Sequence, residues 1–186
     1  MATDLLERDE YLLALEKSLR QAVAGHGRTV LVSGEAGIGK TSLVERFVAR
    51  APAGTRTLWG ACEALFTPSP LGPLYDIAQQ TQGPLRARLE GHTNRAALFA
   101  AVLDELSQAP TILIIEDVHW ADEATLDLLK YLARRIARTP ALLILTWRDD
   151  EIDKRHPLRL VLGDLPARDL LRLRLLPLSK EAVATL

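Results

Sequence analysis

The sequence is poor in the features that would send a chain out of the cell or into a membrane. It has one cysteine, Cys62, in 186 residues, which excludes an internal disulfide and fits a reducing compartment. Its start, MATDLLERDEYLL, carries acids where a secretory leader needs bases, and it has no long apolar core. No apolar run approaches the ~18 residues that span a bilayer. Neither sign of charge dominates: 23 Lys and Arg stand against 24 Asp and Glu, a net charge of -1, so nothing overall points to nucleic acid or an anionic membrane. Internal repeats and low-complexity tracts are missing as well. What remains, 48% hydrophobic and 25% charged residues, is the composition of a globular domain with a sizeable core. The expectation is a cytoplasmic protein or a fragment of one.

Apolar runs alternate with amphipathic patterns. Leu12, Leu15, Leu19 and Val23 recur at helical spacing within residues 5–24, and Gly25-His26-Gly27 ends that helix. Residues 29–32 read as a buried strand, 40–50 as a helix with Leu43, Phe47 and Val48 inward, and 55–61 as a second strand. Residues 63–75, with Pro68, Pro70 and Pro73, read as an irregular loop, and 74–80 as a short helix. Asn94 is placed to cap a helix that carries Phe99, Val102, Leu103 and Leu106. Residues 111–115 are apolar without alternation, as in a strand buried on both faces. Asp122 is placed to cap a helix reaching about residue 138, with Leu128, Leu129, Leu132 and Ile136 on one side. Another apolar strand, 141–146, ends in Trp147-Arg148. Leu171, Leu173 and Leu175 alternate with Arg172 and Arg174, the pattern of an edge strand with one wet face. The alternation predicts an α/β fold, a mostly parallel sheet with helices on both faces. Ser179 is placed as the N-cap of one more helix, for which few residues remain.

Residues 34–41, GEAGIGKT, match G-x-x-x-x-G-K-[ST] in full, with a strand before and a helix after. Glycines let backbone wrap closely around an anion, and successive amides at a helix N-terminus face phosphates. The expected nucleotide-binding set is Gly34, Glu35, Ala36, Gly37, Ile38, Gly39, Lys40, Thr41 and the adjoining Ser42. Lys40 would reach the β- and γ-phosphates, and the Thr41 hydroxyl would bind Mg²⁺. The run 112–115 ends in Glu116-Asp117. One acid at a strand tip can hold Mg²⁺, and its neighbour can orient or deprotonate an attacking water. Strand alternation would point the two to opposite sides. Arg148 ends a third strand on the same rim. Two readings stand for it: a sensor of the γ-phosphate, or an ion pair with Asp149, Asp150 or Glu151.

These stretches, in this order, resemble the STAND-type signalling ATPases of the AAA+/ASCE class of P-loop proteins. The stretches resemble the ATPase module of large bacterial regulators, including those that end in a LuxR-type DNA-binding domain. The likeness is carried by LLERDEYLLAL, LVSGEAGIGKTSLVERF, LIIEDVHWADEATLDLLKYLARR, LLILTWRDDE and LRLRLLPLSKEAVATL. The resemblance implies a three-layer αβα fold with a five-stranded sheet ordered 5-1-4-3-2. It implies ATP and Mg²⁺ as ligands, and the sequence lacks the N-K-x-D guanine-reading motif. It places Glu116 at the metal and Asp117 at the water, and makes Arg8 an adenine-pocket candidate, with Glu7-Arg8 where the family often has Gly-Arg. His119 and Trp120 belong to its most specific block and serve either as packing under the site or as ligand contacts. The implied organisation is an N-terminal helix leading into the core (1–27), a P-loop ATPase core (28–177) and the start of a truncated helical lid (178–186).

The expected function is an ATP-driven switch with slow hydrolysis in a multidomain, transcriptional regulator. The alternatives are a nucleotide-binding scaffold that does not turn over and, further off, a P-loop kinase acting on a small molecule. Expected partners are ATP or ADP, the C-terminal domains of a longer protein and, depending on nucleotide, a second copy. Specific nucleic-acid binding is not expected, because the arginines of 134–174 are interleaved with Asp149, Asp150, Asp153, Asp164 and Asp169. Cys62 reads as a spectator thiol.

Overall fold

The computed structural model describes residues 6–65, 67, 69–81, 85–91, 94–179 and 182. Its elements are α1 (Asp9–Val23), β1 (Arg28–Gly34), α2 (Lys40–Val48), β2 (Arg56–Ala61), α3 (Gly72–Gln80), α4 (Leu85–Glu90), α5 (Arg95–Ser107), β3 (Thr111–Glu116), α6 (Glu123–Ala133), β4 (Ala141–Arg148), α7 (Pro157–Gly163) and β5 (Leu170–Arg174). The strands form one sheet in the order β2-β3-β4-β1-β5, with every pairing parallel. This is the expected 5-1-4-3-2 order seen from the other edge. The expected "mostly parallel" sheet is parallel throughout.

Strand alternation divides the core into two layers. Val30, Val32, Ile112, Ile114, Leu142 and Ile144 face α1 and α2. Leu31, Leu113, Ile115, Leu143 and Leu145 face the layer of α3 to α7. Helices on both faces explain why β3 and β4 are apolar runs. The edges differ. On β5, Arg172 and Arg174 stay exposed as expected. On β2, α3 covers the edge: Gln80 accepts the Trp59 N–H at 2.9 Å, and its amide donates to the Trp59 carbonyl at 2.5 Å, as a neighbouring strand would. The approach is close enough that a Cβ on Gly60 would lie 2.4 Å from the Pro73 carbonyl oxygen.

Several boundaries move. α1 begins at Asp9 rather than at residue 5, which lies outside the described residues. Ala22 is buried in its last turn while Val23, expected inward, is 45% exposed. In α2, Val44 is fully buried and Val48 only partly. Pro73, assigned to a loop, sits in the first turn of α3, where its missing N–H costs nothing. Pro68, Gly83 and Pro84 lie outside the described residues. The helix capped by Asp122 ends at Ala133, and a separate 3-10 turn, Ile136–Arg138, follows. Asn94 caps α5 by accepting the Ala97 N–H at 2.8 Å. Among the described residues no helix is long and apolar enough to cross a membrane.

Candidate functional site

Parallel strands put their C-terminal ends on one rim. Register aligns Gly34 of β1 with Arg148 of β4, and β3, beside β4, brings Glu116 to the same edge. The loop from β1 to α2 needs left-handed backbone: Gly37 stands at φ 72° and Gly39 at φ 95°, which glycine adopts without strain. α2 opens at Lys40 with no side-chain cap, whereas α5 and α6 are capped by Asn94 and Asp122. Its first-turn amides are therefore left for another acceptor, and an anion suits them.

Lys40 is 7% exposed, and its Nζ donates to the Gly34 and Glu35 carbonyls at 2.9 Å each. The cation is thus folded over the loop it belongs to. Burial pushes its pKa down, and the Asp117 carboxylate opposes that shift. Thr41 starts α2 one residue on, and its hydroxyl donates to Glu116 Oε1 at 2.7 Å. The other Glu116 oxygen accepts the Trp59 indole N–H at 2.9 Å. Thr41 and Glu116 make a pair of hard oxygen donors, the ligand type that Mg²⁺ takes alongside waters and phosphate oxygens.

Asp117 departs from the alternation expected of a strand. It sits at φ 52°, ψ 44°, in left-handed conformation, and its N–H donates to the Thr146 hydroxyl at 3.1 Å. That kink ends β3 and starts the turn Val118–Trp120. Its carboxylate lies 3.9 Å from His119 Nδ1 and is electrostatically coupled to Lys40 and Arg148. The two acids still part company: Glu116 joins Thr41, and Asp117 joins the cations. His119 is 4% exposed with both ring nitrogens lacking hydrogen bonds, and burial pushes its pKa down. It packs under the site rather than opening onto it.

Of the two readings for Arg148, the structure contains the ion pair. Its guanidinium donates to Glu151 Oε1 at 2.5 Å and lies 4.8 Å from the centroid of the Trp120 ring. Glu151 Oε2 accepts the Trp120 indole N–H at 3.1 Å and is 3.4 Å from His119 Nε2. Arg8 is also engaged. It is 4% exposed, and its Nη2 donates to the carbonyls of Ile38 at 3.3 Å and Leu176 at 3.0 Å, so its donors serve backbone rather than an open pocket. Glu35, Ala36 and Gly37 form the exposed crest of the loop, and Ser42 is exposed in the first turn of α2. Glu151 is the Arg148 partner among the three acids expected, and Trp59 and Thr146 are the rim residues that sequence reasoning missed. Their partners are set by strand register and a turn, and no local pattern marks them. Cys62 is buried, and burial with nearby Asp122 and Asp117 pushes its thiol up to about 12, which makes it inert as a nucleophile.

Comparison with known proteins bears on this geometry. A family model described as an AAA ATPase domain matches residues 4–145, a stretch that includes the loop and both acids and stops short of Arg148. An uncharacterized protein of Rhizobium meliloti (strain 1021) is 26% identical over 214 aligned residues, covering 89% of this chain and 21% of that protein. The fold is similar to the Walker-type ATPase paby2304 of Pyrococcus abyssi, with a TM-score of 0.60, 18% identity, and coverage of 96% of this chain and 56% of that one. It is similar to Cdc6p of Pyrobaculum aerophilum, with a TM-score of 0.57, 17% identity, and coverage of 97% and 48%. A chain in the structure of Drosophila ORC bound to DNA matches with a TM-score of 0.63, 15% identity, and coverage of 98% and 45%. At these identities the structural likeness speaks for the fold alone. The chain spans about a fifth of the curated relative and about half of each solved chain. Since the family model covers well over half of its length, this chain belongs to the AAA ATPase domain family.

Proposed function

We propose that this chain is a Mg²⁺-dependent ATP-binding and slowly ATP-hydrolysing switch module of STAND type, within a cytoplasmic, multidomain transcriptional regulator. One observation carries the reading: the Thr41 hydroxyl of the glycine loop is hydrogen-bonded to the Glu116 carboxylate at the tip of β3, at 2.7 Å. The two halves of a metal–phosphate site are thereby joined from residues 75 apart.

In this reading the amides of residues 34–41 and the start of α2 bind the phosphates. Lys40 turns from its two loop carbonyls to the β- and γ-phosphates, and its buried stem limits where the ammonium can go. Thr41 and Glu116 hold Mg²⁺, which when bound neutralises phosphate charge and polarises the bond to be broken. Trp59 fixes the rotamer of Glu116. Asp117 accepts a proton from the attacking water, and ADP and phosphate leave. Arg148 exchanges Glu151 for the γ-phosphate. That exchange makes the state with ATP differ from the state with ADP, as a switch requires. The regulator context, ATP over GTP, and self-association dependent on nucleotide rest on the resemblance of the EDVHWADE block and the flanking stretches.

A second reading, a scaffold that binds ATP without turnover, is favoured by the engagement of Arg148 with Glu151. An Asp117→Asn variant separates them. The switch reading expects ATP binding to persist and slow phosphate release to fall by about a hundredfold. Absence of phosphate release by the unmodified chain in a longer protein, with binding intact, would favour the scaffold.

A further inference from the structure

The first residues of the described chain grip two distant segments at once. Glu7 Oε2 accepts the Ser179 N–H at 2.8 Å, Arg8 Nη2 donates to the Leu176 carbonyl at 3.0 Å, and the Tyr11 hydroxyl donates to the Arg174 carbonyl at 2.9 Å. These are three rungs from one side of the α1 N-terminus to one continuous strap that leaves β5. The same Arg8 nitrogen donates to the Ile38 carbonyl, inside the glycine loop, at 3.3 Å. The strap touches the loop directly as well. Leu175 N–H donates to the Ser33 carbonyl at 2.8 Å, and a Cβ on Gly34 would lie 3.1 Å from the Leu175 oxygen.

We infer that Glu7 and Arg8 are positioning residues that couple the phosphate loop to the strap 175–179, so that nucleotide bound at the loop changes how tightly the strap is held. This rests on the nucleotide reading above. The coupling follows from peptide geometry. The Ile38 C=O and the Gly39 N–H share one planar trans peptide and point in opposite directions. A donor holding the Ile38 oxygen therefore sets the direction of the Gly39 amide, one of the group expected to meet phosphate. When phosphate draws on that amide, the plane tilts, and the pull reaches Arg8. The same guanidinium nitrogen then shares its hydrogen-bonding capacity differently between Ile38 and Leu176.

Glu7 makes the strap specific. It stands at φ 56°, a left-handed conformation that favours glycine, yet it carries a side chain there. That side chain takes the Ser179 N–H, and the Ser179 Oγ in turn accepts the N–H of Ala182 at 3.1 Å. The hydrogen bonds from Ser179 hold the Glu7 carboxyl below the usual range. Ser179 is thus tied, through Glu7, Arg8 and Ile38, to the loop.

The test is amide hydrogen exchange of the full chain, with and without Mg·ATP, on the unmodified protein and on Glu7→Gly, Arg8→Gln and Arg8→Lys. Gly suits φ 56°, so Glu7→Gly keeps the fold and removes only the tie. The expected results are an ATP-dependent change in exchange at 175–179 of about threefold or more, its loss in Glu7→Gly with ATP affinity within about threefold of unmodified, and an affinity about tenfold weaker in Arg8→Gln that Arg8→Lys partly restores. Binding of ATP with unchanged exchange at 175–179, or a response that survives Glu7→Gly, would overturn the coupling while leaving the nucleotide reading intact. Failure of the folded, unmodified chain to bind ATP would overturn both.

Discussion

Asp122 carries two loads, and removing its carboxylate separates them. Oδ1 accepts the N–H groups of Ala124 and Thr125 at 2.9 and 3.1 Å, which caps α6. Oδ2 accepts the Thr125 hydroxyl and, at 3.1 Å, the N–H of Leu71, just before α3. Asp122→Ala loses the cap, at a cost of about 1 kcal/mol. It also leaves the partly buried Leu71 N–H without its acceptor, which costs about 1–2 kcal/mol more. The expected loss is therefore about 2–3 kcal/mol, a large share of the roughly 5–15 kcal/mol that holds a domain together. Asp122→Asn keeps an oxygen for the cap but still leaves the Leu71 N–H without its acceptor, so it should lose about 1–2 kcal/mol. Urea unfolding monitored by tryptophan fluorescence, at unchanged denaturant slope, measures both. A loss below about 0.5 kcal/mol in the alanine variant would refute the idea that this carboxylate joins α6 to the start of α3.

Other perturbations read the remaining contacts. Trp59→Phe removes the indole N–H from Glu116 and should raise the Mg²⁺ concentration needed for ATP binding about three- to tenfold, without lowering the thermal midpoint by more than about 3 °C. Glu105 is 5% exposed and is paired with Arg56 at 2.7 Å, while Arg56 also bonds Thr111 and the Glu105 carbonyl, so Glu105→Ala should cost about 1–2 kcal/mol in urea unfolding. Glu151→Gln should tighten ATP binding about threefold in titration calorimetry, since the γ-phosphate then meets a weaker competitor for Arg148. His119 is held below the ordinary imidazole value by burial. The unfolded chain therefore binds a proton first as pH falls, and stability should decline from about pH 7 to pH 5, with a shallower decline in His119→Asn.

The glycine loop was legible because its spacing, its strand and its helix are all local. The two caps, Asn94 and Asp122, were legible for the same reason, and so was the wet face of β5, where leucine and arginine alternate. The sheet order came from family resemblance, since nothing in local periodicity says which strands are neighbours. Asp117 shows where a periodic rule fails: the two-residue alternation holds through Glu116 and stops at one left-handed residue. Arg8 bonds the carbonyls of Ile38 and Leu176, contacts that follow from a strap whose course no pattern gives, whereas the Arg148–Glu151 pair lies three residues apart and was open to a local reading. Trp59 reaches Glu116 only because β2 lies beside β3 in register.

The most direct measurement is calorimetric titration of the purified chain with ATP, ADP and GTP, with and without Mg²⁺, beside a Lys40→Ala control of verified fold. Mg²⁺-dependent binding of adenine nucleotides is expected, weakened about thirtyfold or more in the control because a charged donor to the phosphates is lost. A folded chain that binds no ATP, or a control that binds it as tightly as the unmodified protein, would contradict that expectation.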